Sequence, residues 1–262
     1  VAEVALFFLL EGTPVWAVLI PFIWTGAYLV MGGINAIARV FEIVLPISLL
    51  IFIVSYLLSV RLFDLNNLRP FLGEGIMPVL QGLKSTVLVF AGCEVVMTLV
   101  ARMEKPQQAI KAMLAGIGIP FGLYFFTVVM VIGGMSVDAT IVSTWPTLDL
   151  VRSFEVAGFL LERFEFPLLV IWLMQMFCNF SSFFYNSSLG ISEIFRIPYK
   201  TVVFGFMPIL FVVATIPRKI NELFELGETL GNMGIVLFLL LPVLLSLVWL
   251  ARSKGGTRRG NG

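Results

Sequence analysis

The sequence contains no histidine and few charged or cysteine residues. Among 262 residues, two are cysteine and 13% are charged, whereas a soluble domain carries about 25% charged residues. Without histidine the chain lacks the commonest general base and metal ligand. Cys93 and Cys178 both lie inside apolar runs, so neither a disulfide framework nor a zinc cluster is expected. A soluble enzyme and a disordered chain are excluded, and we predict no enzymatic activity, metal or cofactor.

Long apolar runs make up most of the chain. Hydrophobic residues account for 59% of it, and the mean hydropathy is +1.02. The runs are unbroken rather than alternating, which argues against a transmembrane barrel, and a spanning helix needs about 20 apolar residues. The sequence therefore predicts an all-α polytopic membrane protein with one transmembrane domain over residues 1–262. The predicted spans are 4–10 (partial), 14–33, 43–60, 78–101, 112–137, 166–192, 201–217 and 229–251.

Lysine and arginine are distributed unequally between the two sets of alternating loops. One set carries more of them, and loops rich in these residues tend to be cytoplasmic. The bases of that set are Arg39, Arg102, Lys105, Lys111, Arg196, Lys200, Arg252, Lys254, Arg258 and Arg259. The basic tail at 252–262 is therefore predicted inside, and the long connection 138–165 outside. The apolar spacing in that connection predicts a short helix over the outer face, although a simple loop is the alternative. A net charge of +1 gives no basic footprint for nucleic acid.

The span 78–101 contains an acidic residue at the depth of the membrane midplane. Glu94 lies between Lys84, which can reach one interface, and Arg102, which can reach the other. A carboxylate at that depth is costly, and Gly92 beside it allows the helix to be interrupted. We therefore predict ligand-binding groups here, although a glutamate that only joins helices is the alternative. The predicted residues are Phe90, Ala91, Gly92, Cys93 and Glu94.

A second polar signal lies in the span 166–192. Gln175, Asn179, Ser182 and Asn186 recur at steps of four, three and four, which places them on one helical face. Such a face avoids lipid, so it forms either a wall of a polar cavity or a set of interhelical hydrogen bonds. Both interpretations remain open, and we predict that the four residues face the same interior as Gly92–Glu94.

Several short motifs follow one another along nearly the whole chain. They are Leu-Leu-Glu-Gly-Thr-Pro at 9–14, Gly-Ile-Asn-Ala-Ile-Ala-Arg at 33–39, Asn-Leu-Arg-Pro at 67–70, Phe-Ala-Gly-Cys-Glu at 90–94 and Phe-Leu-Leu-Glu-Arg-Phe-Glu at 159–165. In order and spacing they resemble the spore germination permease family. These proteins are the membrane B subunits of nutrient germinant receptors and belong to the amino acid–polyamine–organocation superfamily.

The resemblance implies an inverted-repeat transporter fold. That fold has ten helices in two inverted five-helix repeats, with the first and sixth helices broken. On this map the Glu94 span is helix 6 and the span 166–192 is helix 8. The chain, which starts with valine, is then expected to be a fragment that begins late in helix 3 and lacks helices 1 and 2.

The resemblance also implies a function. The chain would bind a small nutrient, an amino acid being favoured, near the midplane and trigger germination with an A subunit and a lipoprotein C subunit. Its location would be the spore inner membrane, with the C-terminus in the cytoplasm. A proton- or cation-coupled amino-acid transporter, and a structural or ion-release channel component, are the alternatives, because all three functions fit one fold.

Overall fold

All regular structure in the part of the chain that the structure covers is helical. The computed structural model describes residues 1–10, 12–70, 73, 75–86, 95–101, 103–153, 165–217 and 220–256. The α-helices are α1 (Ala2–Phe8), α2 (Val15–Met31), α3 (Gly33–Ser59), α4 (Met77–Thr86), α5 (Val95–Val100), α6 (Ala109–Met135), α7 (Val137–Val142), α8 (Pro146–Ser153), α9 (Glu165–Phe195), α10 (Tyr199–Thr215) and α11 (Ile220–Gly256). Short 3₁₀ turns occupy Val60–Leu62, Leu65–Leu68 and Pro106–Gln108.

Three of the described helical segments are long and apolar enough to cross a membrane. They are Gly33–Leu62, Pro106–Met135 and Phe166–Phe195, and Val15–Met31 and Tyr199–Thr215 are shorter apolar helices. Helices are the form in which a single segment satisfies its own backbone groups in lipid. The predicted all-α polytopic membrane protein is therefore confirmed.

Prolines and glycines set the helix boundaries in ways that composition alone does not. Pro14, in an extended conformation, precedes α2, and Gly32 lies between α2 and α3, whose first residue, Gly33, has a φ of 76°. The positive φ suits glycine because it has no Cβ. Helix α3 begins at Gly33, before the predicted span 43–60, because a helix can continue past its apolar run through Arg39 and Glu42. Prolines also lie inside α2, α3, α6 and α10, which membrane helices tolerate.

The chain forms two compact units, of which the first contains most of the helices. This unit comprises the described residues within Val1–Gly73 and Glu94–Ile216. Helix α9 is its central element and contacts α2, α3, α5, α8 and α10. The second unit comprises the described residues within Glu74–Cys93 and Pro217–Gly262, where α4 contacts α11.

The main core of the first unit surrounds the second half of α9. Phe184 and Tyr185 of α9 pack there with Val30 of α2 and Val203 of α10. Among the residues whose burial is described, five serines are also fully buried: Ser48, Ser55, Ser59, Ser181 and Ser188. Small side chains let membrane helices approach closely, and most of these serines donate to a carbonyl one turn back. Ser188 Oγ has no hydrogen-bond partner in the described part of the chain.

Candidate functional site

A cavity of ligand size lies within the first unit. It is bordered by α3, α6, α9 and the start of α8, and its volume is about 430 Å³. That volume is within the range of small-molecule sites, about 300–1,000 Å³. The lining residues are Val4, Leu45, Leu49, Phe52, Tyr56, Ile119, Pro120, Leu123, Tyr124, Thr127, Trp145, Pro146, Thr147, Leu148, Leu168, Trp172, Gln175 and Met176.

The wall of this cavity is apolar and aromatic, with a few uncharged polar groups. None of the described lining residues carries a charge. Tyr56, Tyr124, Thr127 and Thr147 contribute hydroxyls, and Gln175 contributes a side-chain amide. Such a wall accommodates hydrocarbon, while a few polar groups orient the ligand. A charged side chain would add a further charge to desolvate, for which these residues offer no opposite charge, so a ligand with a hydrocarbon side chain fits better.

Tyr56 and Thr127 join two walls of the cavity through a directed hydrogen bond. Thr127 Oγ1 donates to the carbonyl oxygen of Leu123 at 2.7 Å, which uses the single hydroxyl proton of Thr127. In the bond between the two hydroxyls, the arrangement that satisfies both contacts has Tyr56 as the donor and Thr127 as the acceptor. Stacking on Phe52 and an edge contact with Phe126 hold the ring of Tyr56. The Tyr56 oxygen is left with acceptor capacity only.

The segment before α8 closes one end of the cavity. Ser143 Oγ donates to Asp149 Oδ2 at 2.5 Å and accepts from the backbone N–H of Trp145 at 3.2 Å, which fixes the turn into the helix. Leu150, fully buried, anchors α8 in a cluster with Tyr56 and Met130. Trp145 is thereby held in the cavity wall.

Two of the predicted site residues lie together in the first part of the polar face of α9. Gln175 lines the large cavity and also a groove of about 230 Å³ between α3 and α9. Asn179 lines the same groove with Ser48 and Cys178, and Asn179 is exposed. The side-chain amide of Gln175 has no hydrogen-bond partner among the described residues.

The other two predicted residues, Ser182 and Asn186, lie further along α9 and are outside that cavity wall. Asn186 Nδ2 donates to the Ser182 carbonyl at 2.8 Å, and the Thr98 hydroxyl of α5 shares its one proton between Asn186 Oδ1 at 2.5 Å and the Val95 carbonyl at 2.8 Å. Asn186 thus connects α9 to the helix that follows residues 87–94. The predicted residues Phe90–Glu94 lie outside the described residues.

Sequence reasoning missed Tyr56, Thr127 and the tryptophans of the wall. Tyr56 and Thr127 are hydrogen-bonded across 71 positions, so no local spacing relates them. A hydroxyl inside each of two charge-free spans was the available signal, because polar groups inside a membrane helix seek partners.

Comparison with known proteins places the chain in a family. The model of a family described as "Spore germination protein" matches residues 1–223. Spore germination protein YndE of Bacillus subtilis (strain 168) is 44% identical over 254 residues, which are 97% of this chain and 70% of that protein. Spore germination protein A2 of the same strain is 35% identical over 96% of this chain and 69% of its own length. Spore germination protein B2, also of that strain, is 32% identical over 97% of this chain and 70% of its own length.

No solved structure matches the chain. The family match extends over most of the sequence, and the relatives align with nearly all of it. The earlier resemblance, drawn from short motifs, is therefore confirmed. The chain belongs to the spore permease family of spore germination proteins.

Proposed function

We propose that the chain is the membrane subunit of a spore nutrient germinant receptor. It binds a small nutrient, an amino acid, in the cavity between α3, α6, α8 and α9, and ligand binding favours a conformation that triggers germination. A ligand shifts such an equilibrium only by the difference between its affinities for the two states. The proposed signal is therefore a closer fit of the cavity to the nutrient in one state.

The cavity with its aromatic wall is the observation that carries this proposal. Its volume suits a small metabolite, and its wall combines hydrocarbon with Tyr56 and Gln175. The binding role expected for Phe90–Glu94 from the sequence stays a separate prediction, because these residues lie outside the described part of the chain. Membership of a family of spore germination proteins supports the link from binding to germination.

The assembly and location follow from the same proposal. The receptor includes an A subunit and a lipoprotein C subunit, lies in the spore inner membrane and has its basic C-terminal tail in the cytoplasm. The connection that contains α7 and α8 then faces outward, where nutrients arrive. Co-purification of the three subunits from spore membranes tests the assembly.

A cavity-filling substitution tests the binding site. Leu49→Trp places an indole in the cavity, and we expect the germination response to small amino acids to be lost. Leu50→Trp is the matched control, because Leu50 is on the next position of α3 and is 63% exposed. Both proteins are quantified in spore membranes. A response that survives Leu49→Trp at normal abundance contradicts the proposed site.

Reconstitution separates this function from the two alternatives. We expect purified protein in proteoliposomes to bind the nutrient without net uptake. Uptake driven by a proton or cation gradient would show a transporter. A conductance independent of ligand would show a channel component.

A further inference from the structure

The hydrogen bonds of the cavity run in one direction. The proton of Tyr56 is directed to Thr127, and the proton of Thr127 is directed to the Leu123 carbonyl. Since a carbonyl oxygen can only accept, the Leu123 carbonyl sets the direction of both bonds. The hydrogen-bonding capacity that these two bonds leave unused at Tyr56 is a lone pair on its hydroxyl oxygen.

We propose that Tyr56 is a specificity-determining acceptor, which selects ligands that present an N–H or O–H donor beside an uncharged hydrocarbon part. This inference rests on the proposed function, because it assigns the ligand to the same cavity. The uncharged wall accepts the hydrocarbon part, and the Gln175 amide meets the second polar group of the ligand. An amine and a hydroxyl share the required chemistry.

Thr127 acts through Tyr56 and is a positioning residue. If its hydroxyl is removed, the Tyr56 proton loses its acceptor in a site where an unmade hydrogen bond is costly. Tyr56 is 3% exposed and held by rings on two sides, so its oxygen keeps its place while its proton turns toward the cavity. The cavity would then present a donor where it now presents an acceptor.

The test measures the nutrient concentration that gives half-maximal germination of spores carrying each variant. The amine probes are L-valine and L-leucine, and the hydroxyl probe is 3-methyl-1-butanol, which combines one hydroxyl with a hydrocarbon part. Each is paired with a form that has lost its donors, namely the N,N,N-trimethyl amino acid or the methyl ether of the alcohol. Trimethylation keeps the positive charge and removes every N–H, so it separates charge from hydrogen bonding.

We expect the methylated form to cause no germination of spores that carry the unsubstituted protein. Tyr56→Phe should raise the half-maximal concentration of the parent probe about 10- to 100-fold, since a hydrogen bond to a charged group has that effect. Tyr28→Phe is the matched control, because Tyr28 is 78% exposed and outside the cavity. Thr127→Val should also weaken the response to the parent probe, and Thr127→Ser, which restores a hydroxyl, should recover much of that response.

The outcomes separate this inference from the proposed function. If Leu49→Trp abolishes the response while Tyr56→Phe leaves the half-maximal concentration unchanged, the acceptor role is wrong and the binding site stands. If the methylated probe acts as well as its parent, the requirement for a donor is wrong. If Leu49→Trp has no effect, the cavity is not the site and the proposed function fails with it. If the Tyr56→Phe protein fails to accumulate, the acceptor role is tested instead by the difference in half-maximal concentration between Thr127→Val and Thr127→Ser.

Discussion

The two halves of α9 meet their neighbours in different ways. In the first half, Trp172, Gln175 and Met176 border a cavity whose opposite walls are α3 and α6. In the second half, Phe184 and Tyr185 are part of a packed core with α2 and α10. One helix therefore contributes to a space large enough for a ligand and, a few turns further on, to close packing.

Side-chain size explains the difference between these halves. Ser181 and Ser188 are fully buried in the second half, and Gly26 of α2 faces it, so the backbones can approach closely. In the first half, larger side chains such as Phe52 of α3 and Trp172 of α9 line the cavity. Under the proposed function, binding depends on the first half and the packing with α2 and α10 on the second, so substitutions in the two halves should have separable effects.

The largest effect is expected for Gly26→Val in the packed half. A Cβ at this position would lie 2.5 Å from Cε1 of Phe180, whose ring is already held against Phe22 and Phe184. We expect a loss of about 2–3 kcal/mol in the free energy of unfolding, as overpacking of a core commonly gives. The measurement is reversible unfolding in detergent micelles.

Gly205→Val is the matched control for that substitution. Gly205 is on α10, and nothing lies within 4 Å of a Cβ built there. Its replacement should change stability by less than about 0.5 kcal/mol, which is typical of surface sites. Equal losses for the two variants would mean that the packed half is not packed as closely as described.

A smaller effect is expected at the link between α5 and α9. Thr98 donates to Asn186 at 2.5 Å, and a double-mutant cycle with Thr98→Val and Asn186→Leu measures that bond. We expect a coupling energy of about 0.6–1.7 kcal/mol, as found for interhelical bonds in membranes. A coupling near zero, together with a lost nutrient response in Asn186→Leu, would favour the cavity-wall interpretation of Asn186 instead.

The sequence predicted the helical architecture well and the site only in part. Apolar runs identify spanning helices because lipid imposes that pattern directly. The spacing of Gln175, Asn179, Ser182 and Asn186 predicts one face, yet the fully buried polar groups of α9 are Ser181 and Ser188. Periodicity shows that residues share a face, but which neighbour meets each turn depends on tertiary packing.

Gln175→Leu should affect binding and leave stability almost unchanged. The amide of Gln175 has no partner within the described chain, so its removal breaks no hydrogen bond there. We expect the free energy of unfolding to change by less than about 0.5 kcal/mol and the half-maximal nutrient concentration to rise about tenfold. Met174→Leu, at an adjacent position that is 38% exposed, is the control. A large loss of stability in Gln175→Leu would instead assign this residue to helix packing.

The smallest structural change tests the boundary between the two halves of α9. Cys178 is a buried thiol, 7% exposed, and Asn179 beside it is exposed, about 100° further around the helix. In protein that lacks Cys93, we expect a small polar maleimide to label Cys178 slowly. It should label Asn179→Cys, made in a Cys178→Ala background, at least about tenfold faster, because the thiolate must reach the reagent. Equal labelling of Cys178 and of Asn179→Cys would show that water reaches both sides of this turn, and that the packed half of α9 begins later than Cys178.

The sequence predicts that Cys93 in turn labels faster than Cys178 and is protected by ligand, the alternative being that both thiols only fill space.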